Sequence, residues 1–351
     1  MNRAPVTEVE PGPAAARVPV GHEVGDRVTL RIGTQTLAFR TIDRRLRFFL
    51  HHDHDAFRVD DGATADCELI WSIGPIVPST GPLIHAHEQR WQIRRLAGGG
   101  EEIIFSKVSP DDPVWRPTMQ MVSDAEFRRV HVRQAPRSPT EFLAYVSEYP
   151  WAEYVMQRRL GLHGAGAILH ASMAVIDGQA HLFTGHSGAG KSTIAELAER
   201  LGAEVPTDDR SILTVADGRA FAWGTPWHGS FRRTSPAGAP IASISLLVQD
   251  RETRIERMSV ARAVQEMFVR TVQARVTPRE TQNTLATLEQ IASATSCFEL
   301  RFQPTVDAVR LVVEATRCAE GSTQRGEGST HDAGGSTHGA EGLPRGSRAA
   351  D

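Results

Sequence analysis

The sequence predicts an α/β protein in which a mixed sheet carries a glycine-rich loop, preceded by a smaller, mainly-β (α+β) domain. Short stretches rich in Val, Ile, Phe and Trp, such as RVTLRI and EEIIFSKV, alternate with turn signals over residues 26–135. Further on, two strand-like runs joined by Asp177-Gly178, a strong hairpin signal, lead directly into GHSGAGKS at residues 185–192. After that loop, TIAELAERLG has apolar residues at helical spacing, so the loop joins a strand to a helix.

The composition is that of a globular protein, and it excludes two classes of partner. The 351 residues, 40% of them hydrophobic and 23% charged, are enough for two ordinary domains. A net charge of −3 gives no reason to expect a basic face on the protein. Neither nucleic acid nor a membrane surface is therefore expected as a partner. With no signal-like start and no apolar stretch of membrane-spanning length, a cytoplasmic location is expected. Whether the chain forms a homo-oligomer is left open.

The three cysteines agree with a reducing compartment. Cys67, Cys297 and Cys318 are odd in number, widely spaced and lack a CxxC arrangement. Neither a disulfide framework nor a cysteine-based zinc site is therefore predicted.

Composition divides the chain into four segments. Residues 1–20 are rich in Pro, Ala and Glu and are predicted to be a flexible lead, and residues 21–138 form the small, mostly antiparallel domain. Residues 139–318 form the domain of the glycine-rich loop. Residues 319–351 contain a GST repeat without apolar residues at helical spacing and are predicted to be disordered.

One stretch of the small domain has the side chains of a metal site. HHDHD, residues 51–55, offers imidazole and carboxylate ligands, but adjacent ligands on one strand or loop rarely converge on a single ion. We therefore favour a solvated loop.

The elements of the second domain follow from periodicity. SPTEFLAYVSEYPWAEYVMQRRLGL, residues 138–162, predicts one helix, or two broken at Pro150, and residues 166–176 and 179–184 predict an antiparallel hairpin. After the glycine-rich loop and its helix, AEVPTDD predicts a strand beside the strand that precedes the loop. The remaining predictions are a hairpin of SILTV and RAFAW, a buried strand ISLLVQD, helices over 259–275 and 278–294, a strand CFELRF and a closing helix TVDAVRLVVEA.

The glycine-rich loop matches the phosphate-binding pattern GxxxxGK[ST]. In this pattern glycines turn backbone N–H groups toward phosphates, the lysine reaches the β- and γ-oxygens, and the hydroxyl ligates Mg²⁺. The helix that follows adds the partial positive charge of its N-terminus. ATP and Mg²⁺ are the cofactors predicted, and the residues predicted to bind them are Gly185, His186, Ser187, Gly188, Ala189, Gly190, Lys191, Ser192 and Thr193.

An acidic pair follows the helix. Asp208 and Asp209 come at the carboxyl end of the predicted strand AEVPTDD, where sheets of this kind place their sites. One carboxylate can hold Mg²⁺ while the other accepts a proton from an attacking hydroxyl. The alternative is a helix-capping or turn pair on the surface.

The stretch from His170 to Asp209 resembles the catalytic domain of bacterial HPr kinase/phosphorylase and of HPr-kinase-like proteins. His170 lies fifteen residues before Gly185, and Asp208 lies seventeen after Lys191, as in that family. The resemblance covers about residues 146–317. It implies the phosphoenolpyruvate-carboxykinase-like P-loop fold and an ATP-dependent serine kinase. It also implies that Asp208 activates the acceptor hydroxyl, His170 assists Asp208, and Asp209 joins Ser192 at the metal.

The chain departs from true HPr kinases after the acidic pair. Instead of a glycine-rich segment with a metal-binding glutamate it has FAWGTPWHGSFRRTS, similar to stand-alone HPr-kinase-like proteins that occur beside peptide-modifying genes. The resemblance therefore implies a protein or peptide substrate with an acceptor serine. Trp227 and His228 could contact a base or the substrate, and Arg232 or Arg233 could neutralise phosphate, or these side chains could simply pack or face solvent.

Two other functions stay open at this stage. One is a nucleotide-gated binding or scaffold protein in which the loop only senses ATP. The other is a carboxykinase-like enzyme of small-molecule metabolism, although those enzymes are longer and use a further lysine and histidine metal site that cannot be located in this sequence.

Overall fold

The protein is a mixed α/β structure built mostly from strands. A computed structural model describes residues 21–87, 91–109, 112–136, 143–146, 151–272 and 277–327. Among these residues, no helix combines the length and the apolar character needed to cross a membrane.

The first part of the described chain contains strands and one short 3-10 helix. The eight-stranded sheet has the order β2-β3-β5-β10-β9-β8-β7-β6, and a three-stranded sheet has the order β1-β4-β11. The elements are β1 (Gly21–Gly25), β2 (Arg27–Ile32), β3 (Gln35–Thr41), β4 (Arg47–His51), the 3-10 helix (His52–Phe57), β5 (Cys67–Ile73), β6 (Leu83–His87), β7 (Trp91–Arg95), β8 (Glu101–Ser109), β9 (Asp112–Ser123), β10 (Arg129–Gln134) and β11 (Leu143–Tyr145).

The second part carries the glycine-rich loop on a larger mixed sheet. Its strands follow the order β13-β12-β15-β16-β17-β20-β18, with β14 and β19 paired to β12 and with β13 also paired to β17. The elements are α1 (Trp151–His163), β12 (Ala167–Ile176), β13 (Gln179–Thr184), α2 (Lys191–Arg200), β14 (Glu204–Thr207), β15 (Arg210–Ala216), β16 (Arg219–Trp223), β17 (Gly238–Gln249), β18 (Arg254–Arg257), α3 (Val260–Phe268), β19 (Thr271–Val272), α4 (Pro278–Ala294), β20 (Ser296–Phe302) and α5 (Val306–Glu327).

The hairpin before the glycine-rich loop is antiparallel, as predicted. Strands β12 and β13 pair from Ala171↔Thr184 to Ile176↔Gln179, and the turn at Asp177 and Gly178 has positive φ at both residues. On its other side β13 pairs parallel to β17. The sheet around the loop is therefore mixed.

Helix α1 joins the two parts of the molecule. Nearly all of its residues are buried, including Trp151, whose ring lies 4.8 Å from that of Trp71 in β5. One hydrophobic cluster extends from Val28 in β2 through α1 to Trp227, so it includes residues from both predicted domains. Two further clusters lie against the two faces of the larger sheet.

Several predicted elements differ from the structure. The small domain is less antiparallel than predicted, because β5 pairs parallel to both β3 and β10. The helix predicted over 138–162 starts only at Trp151, after a short strand at Leu143–Tyr145, and Pro150 lies outside the described residues. Proline favours the first turn of a helix over its interior.

Two predictions near the larger sheet also need correction. The helix predicted over 259–275 ends at Phe268, and Thr271–Val272 pairs with β12 instead. Strand β14 lies beside β12 and not beside β13, because the position next to β13 is taken by β17.

Two further differences concern HHDHD and the C-terminal segment. HHDHD is not a solvated loop throughout, since it enters the 3-10 helix and His54 is buried. Helix α5 continues past residue 319 to Glu327, because an established helix can add residues at one hydrogen bond each. The flexible lead and residues 328–351 lie outside the described residues.

Candidate functional site

The glycine-rich loop spans residues 185–192 between β13 and α2, and its backbone requires glycine. Gly188 and Gly190 have φ of 80° and 103°, which other residues rarely adopt. A Cβ at Gly190 would also lie 2.9 Å from Cζ of Phe302, and one at Gly185 would lie 2.7 Å from Cβ of Ala189. Helix α2 begins at Lys191 with no side-chain cap on its first N–H groups. Those donors point out of the helix end, where an anion is favoured.

Lys191 holds the loop together from inside. Its Nζ donates to the carbonyl oxygens of Gly185 and His186, each at 3.2 Å, and its side chain is largely buried. Burial lowers the pKa of this ammonium group, with a smaller contribution from Arg270. Gln249, at the end of β17, donates to the carbonyl oxygen of Gly188 at 2.8 Å. The loop is thus braced on both sides by side-chain donors.

The acidic pair lies between β14 and β15, and its two carboxylates have different partners. Asp208 is 1% exposed and accepts backbone N–H groups from Gly229 at 2.7 Å and Phe231 at 2.8 Å. Its carboxylate thus fixes the segment that follows β16. The alternative for the pair was a capping or turn role on the surface. Asp208 is too deeply buried for that alternative.

Asp209 instead faces His170 and Arg210. His170 Nε2 donates to Asp209 Oδ1 at 2.7 Å, and the Arg210 guanidinium contacts Oδ2. Arg210 also pairs with Glu153 of α1. Burial, followed by the cations Lys191 and Arg210, lowers the pKa of His170 to about 4, so its ring is neutral at pH 7. The resemblance implied that His170 assists Asp208, but the structure pairs it with Asp209.

Residues 224–234, which we call the acceptor loop, follow β16 and cover the acidic pair. Ser230 Oγ, between the two residues that bind Asp208, donates to Ser192 Oγ at 3.1 Å. Trp227 is buried in the hydrophobic cluster that includes α1, so it packs and is not exposed to a ligand. Arg233 pairs with Glu199 of α2, and His228 Nδ1 donates to the carbonyl oxygen of Gly229. Arg232 has a left-handed backbone, with φ of 57°.

The acceptor loop is itself held by the 3-10 helix of the first part. His54 Nε2 donates to the carbonyl oxygen of Pro226 at 2.9 Å, and Thr234 Oγ1 donates to that of Asp53, also at 2.9 Å. Asp53 and His228 approach within 3.9 Å. These contacts link HHDHD to the segment that fixes Asp208.

Nine of the twelve predicted site residues meet around one cavity of about 350 Å³. It is lined by His170, Ser187, Gly188, Gly190, Lys191, Ser192, Thr193, Asp208, Asp209, Gly229, Ser230 and Gln249. A neighbouring cavity of about 360 Å³ shares His170 and is lined also by Gly185, His186 and Val269–Val272. Ala189 is buried beneath the loop.

Three residues of this cavity, Gly229, Ser230 and Gln249, were missed by the sequence analysis. Gln249 could have been found, because it is next to last in the predicted strand ISLLVQD and so lies at the carboxyl edge of the sheet, where sites are expected. Ser230 carried no signal, since only the folded acceptor loop brings it to Ser192.

The chain is thus a mixed α/β protein whose acidic pair, histidine and glycine-rich loop surround one cavity. No family model matches it, and no curated protein does either. Among solved structures it matches the HPr(Ser) kinase/phosphatase from Coxiella burnetii at 14% identity, covering 47% of this chain and 99% of that one, with a TM-score of 0.29. That structure is from the family that the sequence resembles.

Proposed function

We propose that the chain is an ATP-dependent kinase related to HPr kinase that phosphorylates a serine-type hydroxyl of a protein or peptide. The observation that carries the proposal is the single cavity shared by the glycine-rich loop, Ser192, the acidic pair and His170. A nucleotide sensor needs only the loop. A carboxylate–histidine pair in the same cavity supplies the groups for removing a proton from an acceptor hydroxyl.

The donor set fits ATP and Mg²⁺. The uncapped start of α2 and the positive-φ glycines offer backbone N–H groups to phosphate, and Lys191 adds a cation beside them. Ser192 Oγ and the Asp208 carboxylate are hard oxygen ligands of the kind Mg²⁺ prefers. They are linked through Ser230, whose flanking residues bind Asp208. When bound, Mg·ATP supplies the phosphoryl group and neutralises charge on its oxygens.

We assign the proton acceptor to Asp209 together with His170. The neutral His170 ring donates Nε2–H to Asp209 and so orients that carboxylate toward the cavity. The acceptor oxygen forms a bond to the γ-phosphorus while its proton passes to this pair and the bond to ADP breaks. In this assignment Asp208 binds Mg²⁺ and holds the acceptor loop through its two backbone hydrogen bonds. This exchanges the two roles that the resemblance implied for the aspartates.

The direct test is incubation of the purified protein with γ-labelled ATP, Mg²⁺ and native lysate, followed by identification of the labelled species. We expect an acid-stable phosphoserine whose formation is lost in Lys191→Ala and Asp209→Asn. Label that appears with both variants would come from another kinase. ATP binding with no transfer, and with hydrolysis unaffected by Asp209→Asn, would replace the kinase by a nucleotide-gated binding protein.

The nucleotide site has its own test. Lys191→Ala removes the cation inside the loop, and we expect Mg·ATP affinity to fall at least about tenfold in a calorimetric titration, since a charge-assisted hydrogen bond is worth about 1.5–3 kcal/mol. Arg200→Ala, at the other end of α2, is the matched control and should bind as the wild type does. Equal affinities for all three proteins would mean that the loop is not the nucleotide site.

A further inference from the structure

Two histidines and an aspartate meet at the 3-10 helix, and none of the three is a residue that bonds to the acceptor loop. His22 comes from β1, and its pairing opposite Leu50 of β4 brings it beside the start of the 3-10 helix. His52 and Asp55 lie three residues apart within that helix. The three residues come from segments thirty positions apart in sequence, so the cluster is a product of the fold.

The ligand atoms are spaced for a single ion. His22 Nε2 lies 3.4 Å from Asp55 Oδ1, and His52 Nδ1 lies 3.6 Å from Asp55 Oδ2. One ligand atom from each of the three residues falls within 4.8 Å of the other two. In a tetrahedral site with bonds near 2.0–2.1 Å, neighbouring ligand atoms lie about 3.4 Å apart. The His22 and His52 rings are stacked with centroids 5.4 Å apart, so a rotation of these partly exposed rings would aim both nitrogens at one ion.

We infer that His22, His52 and Asp55 form a binding site for a divalent transition metal ion. Two imidazole nitrogens and one carboxylate suit Zn²⁺ or Co²⁺, whereas Mg²⁺ prefers oxygen ligands alone. The three side chains are between 38% and 59% exposed, so an ion can reach them and water can complete its coordination. The site is separate from the cavity of the acidic pair, and its existence does not depend on the proposed kinase activity.

The site lies one residue away from contacts to the acceptor loop. Asp53 and His54, between the two ligands of the 3-10 helix, bond to Thr234 and Pro226. An ion bound to His22, His52 and Asp55 would tie this short helix to β1. It would thereby also stabilise the surface on which the acceptor loop rests.

The test is a titration of the untagged full chain with Co²⁺, followed by visible absorption. We expect a saturable band at one equivalent, displaced by Zn²⁺, and apparent affinity at least about tenfold lower in His22→Ala, His52→Ala and Asp55→Asn. His131→Ala, which removes an exposed histidine of β10, is the matched control and should keep the wild-type titration. The histidines of residues 328–351 are present in every protein, so they cannot account for a difference.

A lower metal affinity is informative only if the variants are folded like the wild type. Because the three side chains are partly exposed, circular dichroism and thermal unfolding without metal should match the wild type. Zn²⁺ should then raise the unfolding midpoint of the wild type and of His131→Ala, but not that of Asp55→Asn. No saturable band, or a band and midpoint shift unchanged in all three ligand variants, would overturn the inference.

Discussion

Asp208 and Asp209 are neighbours in sequence, but the folded chain gives them separate tasks. Asp208 is buried with both carboxylate oxygens bonded to the backbone of the acceptor loop, whereas Asp209 faces His170 and Arg210. Both residues lie in the bend between β14 and β15, where each carboxylate contacts its own set of partners.

This difference predicts distinct defects for the two amide variants. Asp209→Asn should fold and bind Mg·ATP normally, while phosphoryl transfer falls about 10²–10⁴-fold because proton acceptance is lost. His170→Ala should resemble it more weakly. The measurement is single-turnover transfer, or slow ATP hydrolysis until an acceptor is known.

Asp208→Asn should fail in another way. An amide has one oxygen, so one of the two backbone donors of the acceptor loop loses its acceptor, at a cost of about 1–3 kcal/mol in the free energy of unfolding. The Mg²⁺ concentration needed for activity should rise as well. The contrary outcome is that Asp208→Asn leaves the stability and the Mg²⁺ dependence unchanged while it lowers phosphoryl transfer more than Asp209→Asn does. That result would show that Asp208, and not Asp209, accepts the proton.

At the scale of elements, the 3-10 helix and the acceptor loop form a contact that crosses from one part of the molecule to the other. The buried His54 ring bonds to Pro226, and the backbone of Asp53 accepts from Thr234. Between these two attachment points lie Gly229 and Phe231, the donors to Asp208. The position of Asp208 therefore depends on an element far away in sequence.

His54→Ala should loosen the acceptor loop without unfolding the protein. Loss of a hydrogen bond worth about 1 kcal/mol corresponds to amide exchange about five- to tenfold faster in the affected segment. Hydrogen exchange followed by mass spectrometry should detect this for residues 226–231, with His131→Ala as the unaffected control. Equal protection in His54→Ala and the wild type would show that the loop is held without the 3-10 helix.

A buried cluster of charged side chains joins α1 to β8 and to α4. Arg158 donates to Glu101 of β8 at 2.9 Å and to Glu280 of α4 at 2.7 Å, and Tyr154 donates to Glu101 at 3.0 Å. All four side chains are buried. Burial raises the pKa of Glu101, and Arg158 opposes that shift.

Arg158→Met should therefore destabilise the protein strongly. Removing the guanidinium leaves two buried carboxylates without a neutralising cation, which costs about 3–5 kcal/mol in the free energy of unfolding. Urea unfolding measures the loss, and adding Glu101→Gln and Glu280→Gln to this variant should recover part of it. A loss below about 1 kcal/mol would mean that water already compensates the carboxylates.

At the scale of the whole molecule, the fold keeps three histidines of the described residues neutral. Burial is the largest cause in each case, and it lowers the pKa of His54, His170 and His181 to about 4. In the unfolded chain these rings titrate near 6.5. Between pH 6.5 and 4 the unfolded state thus binds more protons than the folded state.

The free energy of unfolding should accordingly fall as the pH is lowered through this range. Each such histidine contributes a slope of up to about 1.4 kcal/mol per pH unit, less for the partly exposed His170. Denaturant unfolding at intervals from pH 7.5 to 4.5 measures the slope. His181→Asn should flatten it, whereas His131→Ala should not, and a curve that is flat from pH 6.5 to 4.5 in the wild type would contradict the assignment.

The sequence by itself determined the features that depend on neighbouring residues. The β12–β13 hairpin, the glycine-rich loop with its helix α2, and helix α4 at Pro278–Ala294 all match their predictions, because turn glycines, capping residues and apolar periodicity act over a few positions. The likeness to the HPr kinase family likewise rested on one continuous stretch.

Only the tertiary structure decided which of these features meet. It paired His170 with Asp209 and not with Asp208, placed β17 beside β13 where β14 had been predicted, and brought His22 to the 3-10 helix. Such pairings depend on which buried surfaces fit best across long stretches of chain. Local patterns contain no information about that competition, because each segment would satisfy its own hydrogen bonds and periodicity beside either partner.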